Sequence, residues 1–392
     1  MPVLPIFQDL FLVWLVGLLG GLFAYLFKQP LLLGYMLGGI LISPFTPGPV
    51  VQHVETIRHL ADFGIVLLMF SLGLEIAPVG LRRIGKISVI VGSLMMLFLV
   101  VTWVGMSRLW GWPFTQSLVI GLALSISSTM VITKMLMERG ELKTSYGHIL
   151  LGIAIVEDCL IMGFLLLLPL LSDPSRWQLI PFILAILKAI FLLVLIFTLG
   201  VRVVPRLLEY VERARDPELS ILVLLVIAMG IGVIGVWSGL SLELGAFIAG
   251  LVLSGSEATR KTMGRMLPMR DLFVVTFFVS LGVLLDPLLV AERWLFLLML
   301  LGFVLVFKLA LTLGLCRAMR CEWAVAWRVA VGLSQIGEFS IVLCAIANQL
   351  GILPPEFYQL IVAVSLLSIL VNTFFFNLLQ RVPSKPLAVR HE

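Results

Sequence analysis

Charge is what this chain has least of. Asp, Glu, Lys and Arg together make up 12% of its 392 residues, half the roughly one quarter usual in soluble domains. Single soluble cores seldom grow beyond about 250 to 300 residues, so a water-soluble globule is excluded on two grounds. Cysteine is scarce as well: Cys159, Cys316, Cys321 and Cys344 show no C-x-x-C spacing, which leaves a disulfide scaffold, a zinc site and a haem attachment unsupported. The four histidines lie outside helix centres or near chain breaks. They read as solvated residues, and neither they nor the cysteines form a hydrolytic triad, so an intramembrane enzyme is disfavoured. Met1-Pro2-Val3 opens no basic n-region and no small-residue cleavage site follows, so the first apolar run is expected to be retained.

What the chain has in abundance is apolar length. Hydrophobic residues make up 61% of it, and they fall into runs long enough to cross a hydrocarbon core of about 30 Å as helices. Hydropathy places thirteen spans at 5–27, 31–46, 60–77, 87–110, 114–137, 146–171, 179–203, 219–237, 240–254, 271–290, 293–315, 324–350 and 356–380. The expected class is an all-α polytopic membrane protein. Spans two and nine are short and glycine-rich, which suggests tilt, a break or local bilayer thinning.

Basic residues test this count, because cytoplasmic connections carry an excess of Lys and Arg. Alternate connections and the C-terminal tail hold 19 of the 27, from Lys28 through Arg82, Arg139, Arg202, Arg260 and Arg317 to Arg390; the other connections hold Arg58, Arg108, Arg176 and Arg293. The N-terminus is therefore expected outside and the C-terminus in the cytoplasm. The net charge of +5 reflects orientation in a bilayer, and no nucleic-acid partner is expected.

The sequence also matches itself. Leu33, Gly34, Gly39 and Ser43 fall on Leu244, Gly245, Gly250 and Ser254 at a shift of 211; Asp62, Val66, Ser71, Leu72, Gly73 and Pro78 fall on Asp271, Val275, Ser280, Leu281, Gly282 and Pro287 at 209; Gly121, Leu122 and Val131 fall on Gly332, Leu333 and Val342 at 211. The shift steps across an odd number of spans, so the two halves run in opposite directions through the membrane. Inverted repeats with broken helices are the architecture of secondary transporters, whose sites lie near mid-depth. Breaks are expected at Ser125-Ile126-Ser127-Ser128-Thr129 and at Ser334-Gln335-Ile336-Gly337-Glu338-Phe339-Ser340, where small and hydroxyl residues can re-satisfy freed backbone groups.

With so few charges, those deep inside spans are informative. Glu157, Asp158, Lys308 and Glu338 each lie roughly 15 to 23 Å along their helices at ~1.5 Å per residue, and so share one layer. A charge at mid-helix costs about 2.5 to 3.5 kcal/mol, so stability alone would not retain four. Neighbouring helical positions point about 100° apart; one of Glu157 and Asp158 can pair with Lys308 while the other faces a wet cavity. A carboxylate there can hold a monovalent cation or a proton, each displacing the other. The blander readings are a Glu157–Lys308 pair that only fixes packing, and a Glu338 that caps a helix end.

Leu124-Ser-Ile-Ser-Ser-Thr129, Val156-Glu-Asp158, Leu244-Gly-Ala-Phe-Ile-Ala-Gly250, the run Arg270 to Gly282 and Gly332-Leu-Ser-Gln-Ile-Gly-Glu-Phe339 together resemble the Kef-type branch of the monovalent cation:proton antiporters, over almost the whole chain. The resemblance implies a homodimer in a bacterial inner (plasma) membrane, exchanging K+ or Na+ for protons by an elevator-like movement of a core, with no cofactor. It implies dimer and scaffold helices in 1–86 and 219–290, core helices in 87–171 and 291–382, a linker helix in 172–218 and a cytoplasmic tail in 383–392. Asp158 matches the carboxylate that takes cation and proton in turn, and Glu157 the variable position before it. Lys308 matches the basic charge partner, and Thr129, Ser128 and Ser127 the crossing region near the ion. Gln335, Gly337, Glu338 and Ser340 are the counterpart in the second crossing.

Potassium-efflux members often have Gln before the Asp and electrogenic sodium exchangers often have Asp-Asp; Glu-Asp here leaves the ion and the proton number open. Many Kef-type proteins continue into a cytoplasmic regulatory domain that binds nucleotide. No G-x-G-x-x-G follows a strand in this chain, so no nucleotide site is expected on these residues. The alternatives are a channel or sensor on a transporter scaffold, without proton coupling, and an organic-anion symporter. The symporter would call for unpaired basic residues in the layer, where three acids face one base.

Overall fold

The computed structural model describes residues 3–27, 29–75, 85–142, 144–171, 210–211, 216–237, 242–254 and 257–378. Among these there are helices and no strand. In order they are α1 (Val3–Leu26), α2 (Leu31–Leu41), α3 (Val54–Glu75), α4 (Lys86–Leu109), α5 (Phe114–Ser125), α6 (Thr129–Glu138), α7 (Ser145–Leu171), α8 (Pro217–Trp237), α9 (Leu242–Leu253) and α10 (Glu257–Leu284). There follow α11 (Pro287–Glu292), α12 (Trp294–Gly302), a π-helical turn (Phe303–Lys308), α13 (Leu309–Ala318), α14 (Trp323–Leu333), α15 (Glu338–Gln349) and α16 (Pro355–Leu378). Eight described stretches are long and apolar enough to cross a membrane as helices. The seventh expected span, 179–203, and the tail, 383–392, lie outside the described residues.

Hydropathy misplaces several ends because it marks where lipid begins, not where a helix does. Span three was expected from 60, yet α3 starts at Val54 with Glu55 in its first turn, where a carboxylate suits the positive end of the helix. Span ten was expected from 271, yet α10 starts at Glu257 and runs through basic residues before turning apolar. It was also expected to reach 290, but stops at Leu284. Asp286 then accepts the amides of Leu288 and Leu289 and Pro287 opens α11, a helix start built from an N-cap acid and a proline at the first helical position. His53, expected to be solvated, is partly exposed and also bonds the buried Asp9 carboxylate, at 2.9 Å through its ring Nδ1 and 2.8 Å through its amide.

The chain divides into two compact units. One comprises Met1–Leu19, Tyr35–Arg82 and Leu165–Val283; the other Gly20–Gly34, Arg83–Phe164 and Leu284–Glu392.

The first unit contains one contact built twice. A methyl group added at Gly39 of α2 would lie 2.0 Å from the Val279 carbonyl oxygen of α10, and one at Gly282 would lie 2.1 Å from that of Met36. In the other half, a methyl at Gly250 of α9 would lie 2.1 Å from the Phe70 oxygen of α3, and one at Gly73 would lie 2.2 Å from that of Phe247. These are the positions the sequence repeat equates. Each short glycine-rich helix crosses the long helix of the opposite half at backbone contact, as small residues in membrane interfaces permit. The two halves are inverted repeats. Val13, Val16, Ile42, Ile57 and Val279 are buried around one of the crossings.

The second unit holds the other duplicated feature, two broken helices. α5 and α6 are separated by extended residues 126–128, and α14 and α15 by residues 334–337, within the segments singled out from sequence.

The glycine crossings give a direct test. Gly250→Ala and Gly282→Ala force a methyl into a carbonyl and are expected to cost about 1 to 3 kcal/mol or more, lowering the unfolding temperature in detergent. Gly105→Ala, with nothing within 4 Å of its added carbon, is expected to leave it unchanged. Equal unfolding temperatures for all three would contradict the packing.

Candidate ion-binding site

A broken helix frees carbonyls at one end and amides at the other, and in a membrane each needs a partner. Here each break supplies partners to the other. The Gly337 amide donates to the Ile126 carbonyl at 3.1 Å. The Ser127 hydroxyl donates to the Leu333 carbonyl at the end of α14 at 3.1 Å, and the Ser340 hydroxyl to the Ala123 carbonyl in the last turn of α5 at 2.6 Å. Gly337 is required by this approach, since a methyl there would lie 2.7 Å from the Ser127 oxygen. The extended segments therefore cross at backbone contact.

The acids seen in the sequence gather at this crossing. Glu157 and Asp158, both buried on α7, point to different parts of it. Glu157 Oε2 accepts the Ser127 amide at 2.6 Å, and Asp158 Oδ2 accepts the Thr129 hydroxyl at 2.7 Å. Ser128 caps α6, its Oγ accepting the Val131 amide at 3.2 Å, and donates to Glu338 Oε2 at 2.6 Å. Glu338 thus reaches across to the other break as well as opening α15. Asp158 lies close enough to Glu338 and Glu157 for their charges to repel.

Lys308 is fully buried at the end of the π-helical turn. Its expected ion pair with Glu157 is not made in this structure. The ammonium donates to the Gln335 carbonyl at 3.0 Å, while Glu157 is turned to Ser127. The two charges attract without contact. The reason is local: unwinding at 334–337 leaves a carbonyl at the negative end of α14, and a cation satisfies both the oxygen and the helix dipole.

Residues that sequence reading missed complete the second break. On α16, Asn372 Nδ2 donates to the Ser334 carbonyl at 3.2 Å and to that of Val331. Ser368 Oγ accepts the Ile336 amide at 3.1 Å, and the Ser365 hydroxyl donates to the Ile336 carbonyl at 3.2 Å. The signal was present: three polar residues spaced to share one face of a mostly apolar helix.

Among the described residues, three buried oxygens of this layer have no hydrogen-bond partner: Asp158 Oδ1, Glu157 Oε1 and Gln335 Oε1. An unpaired buried acceptor is costly. Oxygen atoms of carboxylate and amide are also what a hard cation requires once it has shed water.

A sodium/hydrogen exchanger transmembrane model matches residues 11–381. The chain belongs to the sodium/hydrogen exchanger family. Among its relatives in this family, the putative cation/proton antiporter YbaL of Escherichia coli (strain K12) is 34% identical over 90% of this chain and 65% of its own length. The K(+) efflux antiporter 5 of Arabidopsis thaliana is 30% identical over 96% of this chain and 67% of its own. The chain therefore spans about two thirds of these relatives. Among solved structures, the sodium proton antiporter MjNhaP1 from Methanocaldococcus jannaschii superposes with a TM-score of 0.65 at 15% identity, covering 96% of this chain and 99% of that one, which establishes a shared fold. The exchanger family is one of integral membrane transporters and not of enzymes.

Glu157 offers a test of the crossing itself. Glu157→Gln keeps an acceptor for the Ser127 amide and is expected to unfold at nearly the wild-type temperature. Glu157→Leu strands that buried N–H, at a cost of about 1 to 3 kcal/mol. A Leu variant as stable as wild type would show that the bond holds nothing.

Proposed function

We propose that this chain is a secondary antiporter that exchanges K+ or Na+ for protons, with Asp158 binding cation and proton competitively. The observation that carries the reading is the buried layer of three carboxylates and one ammonium, with unpartnered oxygens on Asp158 and Glu157. Fully ionised, it holds an excess of negative charge in a medium that penalises charge heavily. Protons or a cation remove that excess, and either one makes the other unnecessary.

Thr129 orients Asp158, and Ser127 and Ser128 tie the acids to the first break. Lys308, held at the Gln335 carbonyl, leaves Glu157 free to titrate. If Glu157 releases its proton in each cycle, two protons move per cation; if it pairs with Lys308 instead, one does. The names of the relatives support both a potassium and a general cation reading, and that of the structural neighbour a sodium one, so the ion is left as K+ or Na+. The same reading includes a homodimer with an elevator-type movement of the core helices, in a bacterial inner membrane, with the N-terminus outside and the C-terminus in the cytoplasm. The transported ion is substrate, and no cofactor takes part. A cytoplasmic regulatory domain is a further partner of the kind the resemblance implies.

Purified protein in liposomes is expected to dissipate a pH gradient when K+ or Na+ is added, and Asp158→Asn to reduce the rate to background. With one competing proton, each unit of acidification below the proton affinity of the site raises the apparent KM for cation about tenfold, and with two about a hundredfold. Repeating the assay with the membrane potential clamped separates these cases. Flux without proton movement would replace the antiporter with a channel, and full activity in Asp158→Asn would remove that residue from the mechanism.

A further inference from the structure

We infer that Ser365, Ser368 and Asn372 of α16 form a polar rail that positions the second break for exchange, and that it acts through the Gln335 carbonyl on Lys308. The inference rests on the antiport reading above and adds residues that do not belong to the acid layer.

Between residues 334 and 337 the chain frees backbone groups that a continuous helix would have paired; the Gly337 amide goes to the first break, and four others find partners outside it. Three of them, the Ser334 carbonyl and the amide and carbonyl of Ile336, are taken by Asn372, Ser368 and Ser365 at 3.1 to 3.2 Å. The fourth, the Gln335 carbonyl, is taken by the Lys308 ammonium. All three rail residues are buried, so water is no substitute for them. The partners come from one rigid helix, at positions 365, 368 and 372, which lie on one face at helical spacing. The extended geometry is thus imposed from α16, and the direction of the Gln335 carbonyl follows from it.

That direction matters because Lys308 has two places to go. While the carbonyl is presented, the ammonium stays there and Glu157 is left to Ser127. If the segment relaxes, the ammonium loses its acceptor, and the Glu157 carboxylate that already attracts it is the alternative. An ammonium moved into the acid layer competes with the transported cation for the same oxygens. Asn372 Oδ1 is itself buried without a partner, a cost accepted so that Nδ2 can serve two carbonyls.

The test is a double-mutant cycle on cation affinity, read by titrating K+ and Na+ into purified protein and following thermal stability. Asn372→Ala, which removes the bonds to Val331 and Ser334, is expected to weaken cation binding about tenfold or more. In a Lys308→Gln background the same change is expected to have no effect, because no ammonium is left to be released. Equal weakening in both backgrounds, or none in either, would overturn the inference. Should Asn372→Ala fail to fold, Ser368→Ala removes one contact to the break and is expected to show the same pattern at smaller size. Amide hydrogen exchange at Ile336 and Gly337 decides the rail apart from transport. Loss of protection there alone in Ser368→Ala supports it even if the wild type moves no cation, which would sink the antiport reading instead. Unchanged protection removes the rail.

Discussion

The mutual completion of two broken helices is the constraint from which the rest follows. Neither break is tolerable alone in a membrane, since each exposes carbonyls and amides where water is absent. Ser127, Gly337 and Ser340 solve the problem by lending each break's donors to the other. The solution brings four half-helix ends to one place. Two present positive and two negative partial charge, so charged side chains become tolerable there.

The acid layer uses that permission unevenly. On one side Glu157, Asp158 and Glu338 bond to Ser127, Thr129 and Ser128. On the other, Lys308 and the α16 residues take up the backbone of the second break. The negative side retains unpartnered oxygens on Glu157 and Asp158. A layer with spare acceptors on its acids and an occupied base is suited to receiving a small cation or a proton. A layer closed into ion pairs would be a packing device only.

Much of this was legible in the sequence because membranes make polar residues conspicuous. Four charges deep in apolar runs marked the layer, and a repeat at shifts of 209 and 211 marked the inverted halves, though not the paired glycine crossings between their helices. Small and hydroxyl residues marked both breaks. What escaped was partner choice. A sequence shows that Lys308 and Glu157 share a depth, but the winner between a carboxylate and a freed carbonyl depends on where unwinding aims that carbonyl. Ser365, Ser368 and Asn372 escaped because serine and asparagine in a membrane helix are common enough to pass unread until a backbone needing donors is seen beside them. The starts of α3 and α10 escaped because helices continue into water where hydropathy stops.

The central claim is that one buried seat is contested by a metal cation and a proton. Proton release on cation addition measures it most directly: K+ or Na+ is added to purified protein in weakly buffered detergent solution near neutral pH while free protons are followed with an indicator dye. Saturable release of protons from the wild type, absent in Asp158→Asn, is the result this account predicts. Cation binding that releases no protons, or release that persists undiminished in Asp158→Asn, would contradict it.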